Sequence, residues 1–237
     1  MSDLHFWFDP VCPFAWMTSK WVRIVAGQRE YSVDWLPISL RLLNAHIDYD
    51  SHFPPEYERG HTAGLRLLRI AERARQEHGP QAVARLYEAY GERIFQAPPG
   101  QDVPAMLDRG ELVPDALAAA GLPLELAGAL DDPSWDAGIQ ASTDAALALT
   151  GKDVGTPILH FQPPEGVAFF GPVISRLPSE QDAAELWDHV VGLASFAGFA
   201  ELKRSLRELP QLPALGVSAD EAGTTEDWHG GSRRQKR

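Results

Sequence analysis

Hydrophobic and polar positions fall into distinct rhythms along this chain. Leu4-His5-Phe6-Trp7-Phe8 is a short aromatic run closed by Asp9-Pro10, and it predicts a buried strand. From Pro13 to about Gly27 the spacing turns helical, with Trp16, Trp21, Val22 and Val25 recurring and Gly27 as a stop. Tyr31 to Ile38 alternates at first, as a strand with two different faces should. The first 40 residues therefore predict strand–helix–strand, the opening of a parallel βαβ unit.

Residues from about Asn44 to Pro55 show no regular pattern. A long helical stretch follows. Glu56 to His78 is one amphipathic helix, stopped by Gly79-Pro80, and Gln81 to Phe95 is another, stopped by Ala97-Pro98-Pro99-Gly100. Shorter helices are predicted at Asp102–Asp108, Glu111–Ala120, Pro123–Leu130 and Ser134–Leu149. Strand character returns at Thr156–Phe161 and Val167–Phe170, joined by the turn Gln162-Pro163-Pro164-Glu165-Gly166 as a hairpin. A last helix from Ser179 to about Phe196 carries Ala183, Leu186, Trp187, Val190 and Val191 on one face, and is read as continuing toward Leu206. From Pro210 to Arg237 the composition predicts a disordered tail.

With the helical stretch set aside, the order β-α-β-β-β-α is that of a thioredoxin-like domain. The expected class is α/β, a thioredoxin-like fold with an inserted all-helical domain. Residues 1–45 and 151–209 would form the discontinuous thioredoxin-like domain and 46–150 the insertion.

Composition narrows the functions this fold could serve. Of 237 residues, 21 are basic and 33 acidic, a net charge of −12. Such a surface repels phosphate backbones and anionic lipid, so neither nucleic acid nor membrane is an expected partner. No apolar run reaches the roughly 18–20 residues that a spanning helix needs. The start, Met1-Ser2-Asp3-Leu4-His5, lacks a basic region and an apolar core, so a cytoplasmic location is expected. A single cysteine, Cys12, excludes intramolecular disulfides. His46, His52 and His61 show no metal-ligand spacing and are expected in surface or capping roles. No P-loop, Gly-x-Gly-x-x-Gly or Gly-x-Ser-x-Gly occurs.

A lone cysteine is ordinarily a small buried hydrophobe. Two features point elsewhere for Cys12. Pro13 suits the first turn of a helix, which puts the sulfur at a helix N-terminus, where free N–H groups and the macrodipole favour thiolate. Val154-Gly155-Thr156-Pro157 precedes a strand at the chain position where thioredoxin-like folds carry a cis-proline. A cis bond there would turn the Thr156 backbone toward Cys12. Ala15 stands where a dithiol oxidoreductase has its second cysteine, so any thiol chemistry here is monothiol and a second molecule must resolve each adduct. Asp9 either tunes Cys12 or ends the strand. Trp7 is expected in the core, and Phe14 in the exposed middle of the motif.

Phe6-Trp7-Phe8-Asp9-Pro10-Val11-Cys12-Pro13, Trp16, Thr18-Ser19-Lys20-Trp21, Ser39-Leu40-Arg41-Leu42-Leu43-Asn44 and Asp153-Val154-Gly155-Thr156-Pro157 resemble the mycothiol-dependent nitroreductase family, DsbA-like thioredoxin-fold proteins. Phe169-Phe170-Gly171-Pro172-Val173 and Leu202-Lys203-Arg204 also fit, so the likeness covers about residues 4–205. The resemblance implies a cytoplasmic thiol-dependent reductase, often a homodimer, with a helical lid over the cysteine. It implies no tightly bound cofactor, with mycothiol as a thiol cosubstrate beside a small-molecule substrate. It places Cys12 as nucleophile, with Pro13, Phe14, Ala15, Trp16, Asn44, Phe95, Thr156 and Pro157 around substrate or thiol. The chain departs from the family's usual Cys-Pro-Trp-Cys at Phe14 and Ala15. It also has Phe95 where the family tends to carry a histidine after Gly91-Glu92-Arg93-Ile94. Two other functions fit the same fold: a kappa-type glutathione transferase or isomerase relative that activates a bound thiol, and a catalytically silent binding module.

Overall fold

The computed structural model describes residues 2–98, 100–204, 206–218 and 220–227. Strands β1 (Leu4–Phe8) and β2 (Val33–Pro37) run parallel, joined by helix α1 (Pro13–Arg29). Among the described residues, seven α-helices follow before the chain returns to the sheet: α2 (Leu40–Leu43), α3 (Tyr49–His52), α4 (Pro55–His78), α5 (Pro80–Phe95), α6 (Val103–Arg109), α7 (Val113–Ala119) and α8 (Asp136–Thr150). Then come β3 (Ile158–Phe161), β4 (Ala168–Phe170), α9 (Glu180–Ala194) and a hairpin of β5 (Leu206–Glu208) with β6 (Thr225–Asp227). The main sheet has the order β2-β1-β3-β4, with β3 antiparallel to β1 and β4 antiparallel to β3. That is a thioredoxin-like βαβ–ββα core with a helical block between β2 and β3.

The period of two in β1 explains its place at the centre. Phe8 stacks on Tyr87 of α5 with ring centroids 3.8 Å apart, and Phe6 lies 4.8 Å from Trp35 of β2. Trp7 points to the other face, where it packs with Ile38, Ala146 of α8 and Ile158 and donates Nε1–H to Ser142 Oγ at 3.2 Å. Each such aromatic contributes about 1.5–3 kcal/mol by burial. On the α1 side, Trp21 donates to the Ala183 carbonyl at 2.9 Å and meets Trp187 edge-on at 5.4 Å, which pins α9 to α1.

Two glycines set how closely the helical block approaches the start of α1. A Cβ on Gly91 would lie 2.2 Å from Trp16 Cε3, and one on Gly64 would lie 2.5 Å from Asp9 Oδ1. Contacts that short are far inside van der Waals distance, so α5 and α4 seat only because these positions lack a side chain.

The structure differs from the sequence reading at three places. Leu124–Ala129 forms a 3-10 turn, a run of six residues too short and too broken by Gly128 to hold an α-helix. The last helix stops at Ala194, before Gly198, and residues 195–204 are not helical. The stretch from Pro210 is not featureless: Leu212 is fully buried, Gln211 N–H donates to the Ser175 carbonyl at 2.8 Å, and β6 pairs with β5. One apolar anchor and a hairpin partner supply what composition alone does not reveal. The basic end of the predicted tail, 228–237, lies outside the described residues.

Candidate active site

Cys12 is the N-cap of α1, with Pro13 in the first turn. Its sulfur accepts a hydrogen bond from Ala15 N–H at 3.4 Å, so one otherwise unbonded helix-start donor is spent on it. Across the fold, the loop before β3 brings the Thr156 carbonyl to 3.5 Å, where the thiol donates to it. The Thr156–Pro157 peptide is cis. Residues 144 apart in sequence thus meet at one sulfur.

The helix-start position predicts an activated thiolate, but the surroundings reverse that balance. Cys12 is only 8% exposed. Burial pushes its thiol above the ordinary range, the Thr156 side chain and Ala15 N–H oppose this, and the charge of Asp9 adds to it. A carbonyl that can only accept gives the proton a further reason to stay on sulfur.

Asp9 is the nearest titratable group by chain position and is fully buried. Its Oδ1 accepts from Val11 N–H at 3.1 Å and its Oδ2 from Leu40 N–H at 2.8 Å. Burial nevertheless pushes its carboxyl up to about 7, against those two bonds. Asp9 therefore does more than end a strand. It ties the Cys12 loop to α2 and changes charge near neutral pH.

A cleft of about 2730 Å³ opens over the sulfur. Cys12, Pro13, Phe14, Asn44, Phe95 and Thr156 all line it, which brings six of the predicted site residues together. Ala15, Trp16 and Pro157 are not on its wall. Ala15 is fully buried under the helix start. Trp16 is 1% exposed, edge-on to Tyr87 at 5.8 Å and stacked beside Phe95 at 6.4 Å, so it is core behind the site rather than a substrate contact. Pro157 turns its carbonyl to Gly171 N–H at 2.8 Å. Phe14, predicted exposed, is 6% exposed and forms wall.

The sequence reading missed part of the helical side. His61, expected at the surface, is 9% exposed and accepts or donates through Nδ1 to the Tyr49 hydroxyl at 3.0 Å. Tyr57 and His61 stand four apart on α4 and both line the cleft, an i, i+4 aromatic pair that was the available signal. Among the described residues there is no cluster of three or more His, Cys, Asp or Glu placed to hold a metal ion. No helix among them is long and apolar enough to cross a membrane.

Comparison with known proteins gives three findings. Residues 11–204 match the Rv2466c-like family model, described as mycothiol-dependent nitroreductase Rv2466c. The uncharacterized protein Rv2286c of Mycobacterium tuberculosis (strain ATCC 25618 / H37Rv) is 31% identical over 214 residues, spanning 90% of this chain and 84% of that protein. Among solved structures, the cytosolic disulfide reductase DsbM from Pseudomonas aeruginosa is similar at 16% identity and a TM-score of 0.49, covering 81% of this chain and 99% of that one.

Proposed function

Because this chain belongs to the Rv2466c-like family of mycothiol-dependent nitroreductases, a family of thiol oxidoreductases, we propose that it is a cytoplasmic monothiol reductase with Cys12 as nucleophile and mycothiol as cosubstrate. The observation that carries the reading is the Cys12 sulfur held between Ala15 N–H and the Thr156 carbonyl at the floor of the cleft. In the forward step the Cys12 thiolate attacks one sulfur of a disulfide. A Cys12–S–S–R bond forms, the old S–S bond breaks, and the second sulfur leaves as thiolate. With no second cysteine in the chain, an incoming thiolate attacks the mixed disulfide, releases Cys12 and carries away the other half as a new disulfide. These two steps consume one thiol, release one and leave one disulfide; a second incoming thiolate that attacks the new disulfide releases its other half and completes the two-electron reduction of the substrate, and Cys12 ends as it began.

The thiolate, not the thiol, attacks. A thiol pushed up by burial leaves only a small fraction ionised at neutral pH. The rate should therefore climb with pH rather than level off below about 7. The test is intact-mass detection of the Cys12–mycothiol mixed disulfide formed from mycothiol disulfide with release of one mycothiol, followed by turnover of Cys12→Ser. Loss of both adduct and turnover is expected. Turnover that survives in Cys12→Ser would refute the nucleophile.

A second reading has one observation in its favour. A buried, upward-shifted thiol also suits a transferase that activates a thiol brought by its ligand. Thiol binding with no adduct at Cys12 would select it.

A further inference from the structure

The rim of the cleft carries a set of charges that the thiol chemistry above does not use. The chain is acidic, at −12, and many of its cations are spent on carboxylates. Arg59, Arg66, Arg69, Arg73 and Arg75 of α4 each hold one. Lys152, Lys203 and Arg204 are different. All three are exposed, all three line the cleft, and none makes an ion pair among the described residues. Lys20, Arg85 and Arg93 also hold no carboxylate, but they lie off the cleft, over the Trp16 ring or on backbone carbonyls. The uncommitted cations of an acidic chain thus gather at one place.

Arg207 lines the same rim, so four cations stand there against two carboxylates, Asp153 and Glu201. A third, Glu208, is gripped by Arg176 at 2.8 and 2.7 Å and also feels Arg204. On the helical side, Glu56 faces no such cluster, and Asp108 is held by Arg59. The rim is anchored near the sulfur. Lys152 stands four residues before Thr156. Glu208 of β5 also accepts from Ser175 Oγ at 3.1 Å, and Pro172, three residues earlier, accepts from Thr18 Oγ1 at 2.8 Å. Thr18 lies about 9 Å beyond Cys12 along α1. Next to the charges the wall is apolar: Leu202 is 82% exposed, Leu193 is 46% exposed, and Phe199 lies 5.6 Å from Phe169. Cations on an apolar wall focus their field into the cleft and raise the local concentration of anions.

We propose that Lys152, Lys203 and Arg204 are specificity-determining residues, which select disulfides bearing a negative charge a few atoms from sulfur. The inference rests on the reading that Cys12 attacks a disulfide in this same cleft.

Three reagents separate the two claims. With 3,3′-dithiodipropionate, a dianion, attack by Cys12 leaves a mixed disulfide and releases 3-mercaptopropionate. With cystamine, a dication of similar length, attack releases cysteamine. Methyl methanethiosulfonate is uncharged; attack leaves a methyl disulfide and releases methanesulfinate. At low ionic strength, Lys203→Gln with Arg204→Gln should lower the ratio of the dithiodipropionate rate to the cystamine rate about tenfold. The methyl methanethiosulfonate rate should stay unchanged. Ala118→Glu with Ala119→Glu, exposed on α7 and away from the cleft, makes the same change in net charge and should leave the ratio within about twofold. In the unchanged chain, salt at about 1 M should shrink the preference, since it screens charges beyond about 3 Å. A ratio that the glutamine variant does not move, that the α7 variant moves equally, or that salt leaves intact overturns the inference. Should the double variant fail to fold, Lys152→Gln decides it: a ratio lowered about threefold supports the inference, and an unmoved ratio overturns it. A wild-type Cys12 inert to all three reagents overturns the nucleophile reading instead.

Discussion

The two sides of the cleft are specified by different kinds of information. On the sheet side, Cys12 and Thr156 are placed by backbone: a helix N-cap and the peptide preceding Pro157. On the helical side, Asn44, His61 and Phe95 are placed by packing between elements, with Gly64 and Gly91 setting the distance. The sheet side supplies the reactive atom and needs only a few neighbouring residues to do so. The helical side supplies shape and hydrogen bonding, and depends on contacts scattered over many residues. Chemistry can therefore persist on one side while selectivity changes on the other.

The sharpest way to test this separation is to change the sheet side by one atom. Ala15 N–H already reaches the Cys12 sulfur at 3.4 Å, so a thiol on that residue would sit beside it. Ala15→Cys should convert the monothiol into an internal dithiol. Thiol counting on the oxidised variant should find no free thiol, and intact mass should show no lasting mixed disulfide with mycothiol. An adduct that accumulates as in the unchanged chain would mean that local spacing does not govern this side.

Legibility in the sequence follows the same division. The βαβ–ββα order, the helical block and the meeting of Cys12 with Thr156 were readable because each rests on a short pattern: an aromatic run, Cys12-Pro13 at a helix start, Thr156-Pro157 before a strand. Trp16 was misplaced for a physical reason. Four residues apart, Cys12 and Trp16 share a helix face, but α5 closes over that face at Gly91 and covers the Trp16 ring with Tyr87 and Phe95, a contact that spacing within α1 does not reveal. His61 was misread because a histidine at a helix start looks solvated until Tyr49, twelve residues back, is seen to cap its ring. The reversed balance at Cys12 could not be read either, since burial is a property of the closed fold and not of the motif.

Asp9 lies where the two sides join, and its titration should be the next largest effect. Its carboxyl has a folded pKa of about 7 against an ordinary 3.8. A raised carboxyl binds its proton more tightly when folded. Its stabilising contribution is complete below about pH 4 and is lost as pH rises through about 7, by roughly 4 kcal/mol. His61 has the opposite sign, because its depressed pKa of about 4 costs stability as pH falls below 6.5. The difference between the unchanged chain and Asp9→Asn isolates Asp9. Denaturant unfolding at several values between pH 5 and 8 should show the unchanged chain losing stability relative to the variant as pH rises. Parallel pH profiles would mean that Asp9 is not held as a buried carboxyl.

Gly91→Ala should act on the junction alone. The added methyl would meet Trp16 at 2.2 Å, and overpacking of a filled core costs about 1–3 kcal/mol. The expected result is a lower unfolding midpoint, with the methyl methanethiosulfonate rate at Cys12 kept within about twofold. A variant as stable as the parent would show that α5 can shift without loss. The helical side would then be adjustable rather than fixed.

The smallest effect asks whether charge helps to hold the helical block. Arg75 of α4 grips Asp34 of β2 through two bonds of 2.8 and 2.7 Å and also reaches the Trp35 carbonyl at 3.4 Å. Its side chain is 26% exposed and that of Asp34 is 20%. Partial burial and a two-pronged geometry place the pair above ordinary surface ion pairs, at about 1 kcal/mol in a double-mutant cycle. Arg29 and Asp188 make a similar pair between α1 and α9 but are 39% and 58% exposed. Water screens that pair, so its coupling should be the weaker one and should vanish first in salt. If Arg75–Asp34 couples no more strongly than Arg29–Asp188, the helical block is held on the sheet by apolar packing alone. In that case the shape of the cleft is set by Gly64, Gly91 and the rings they admit.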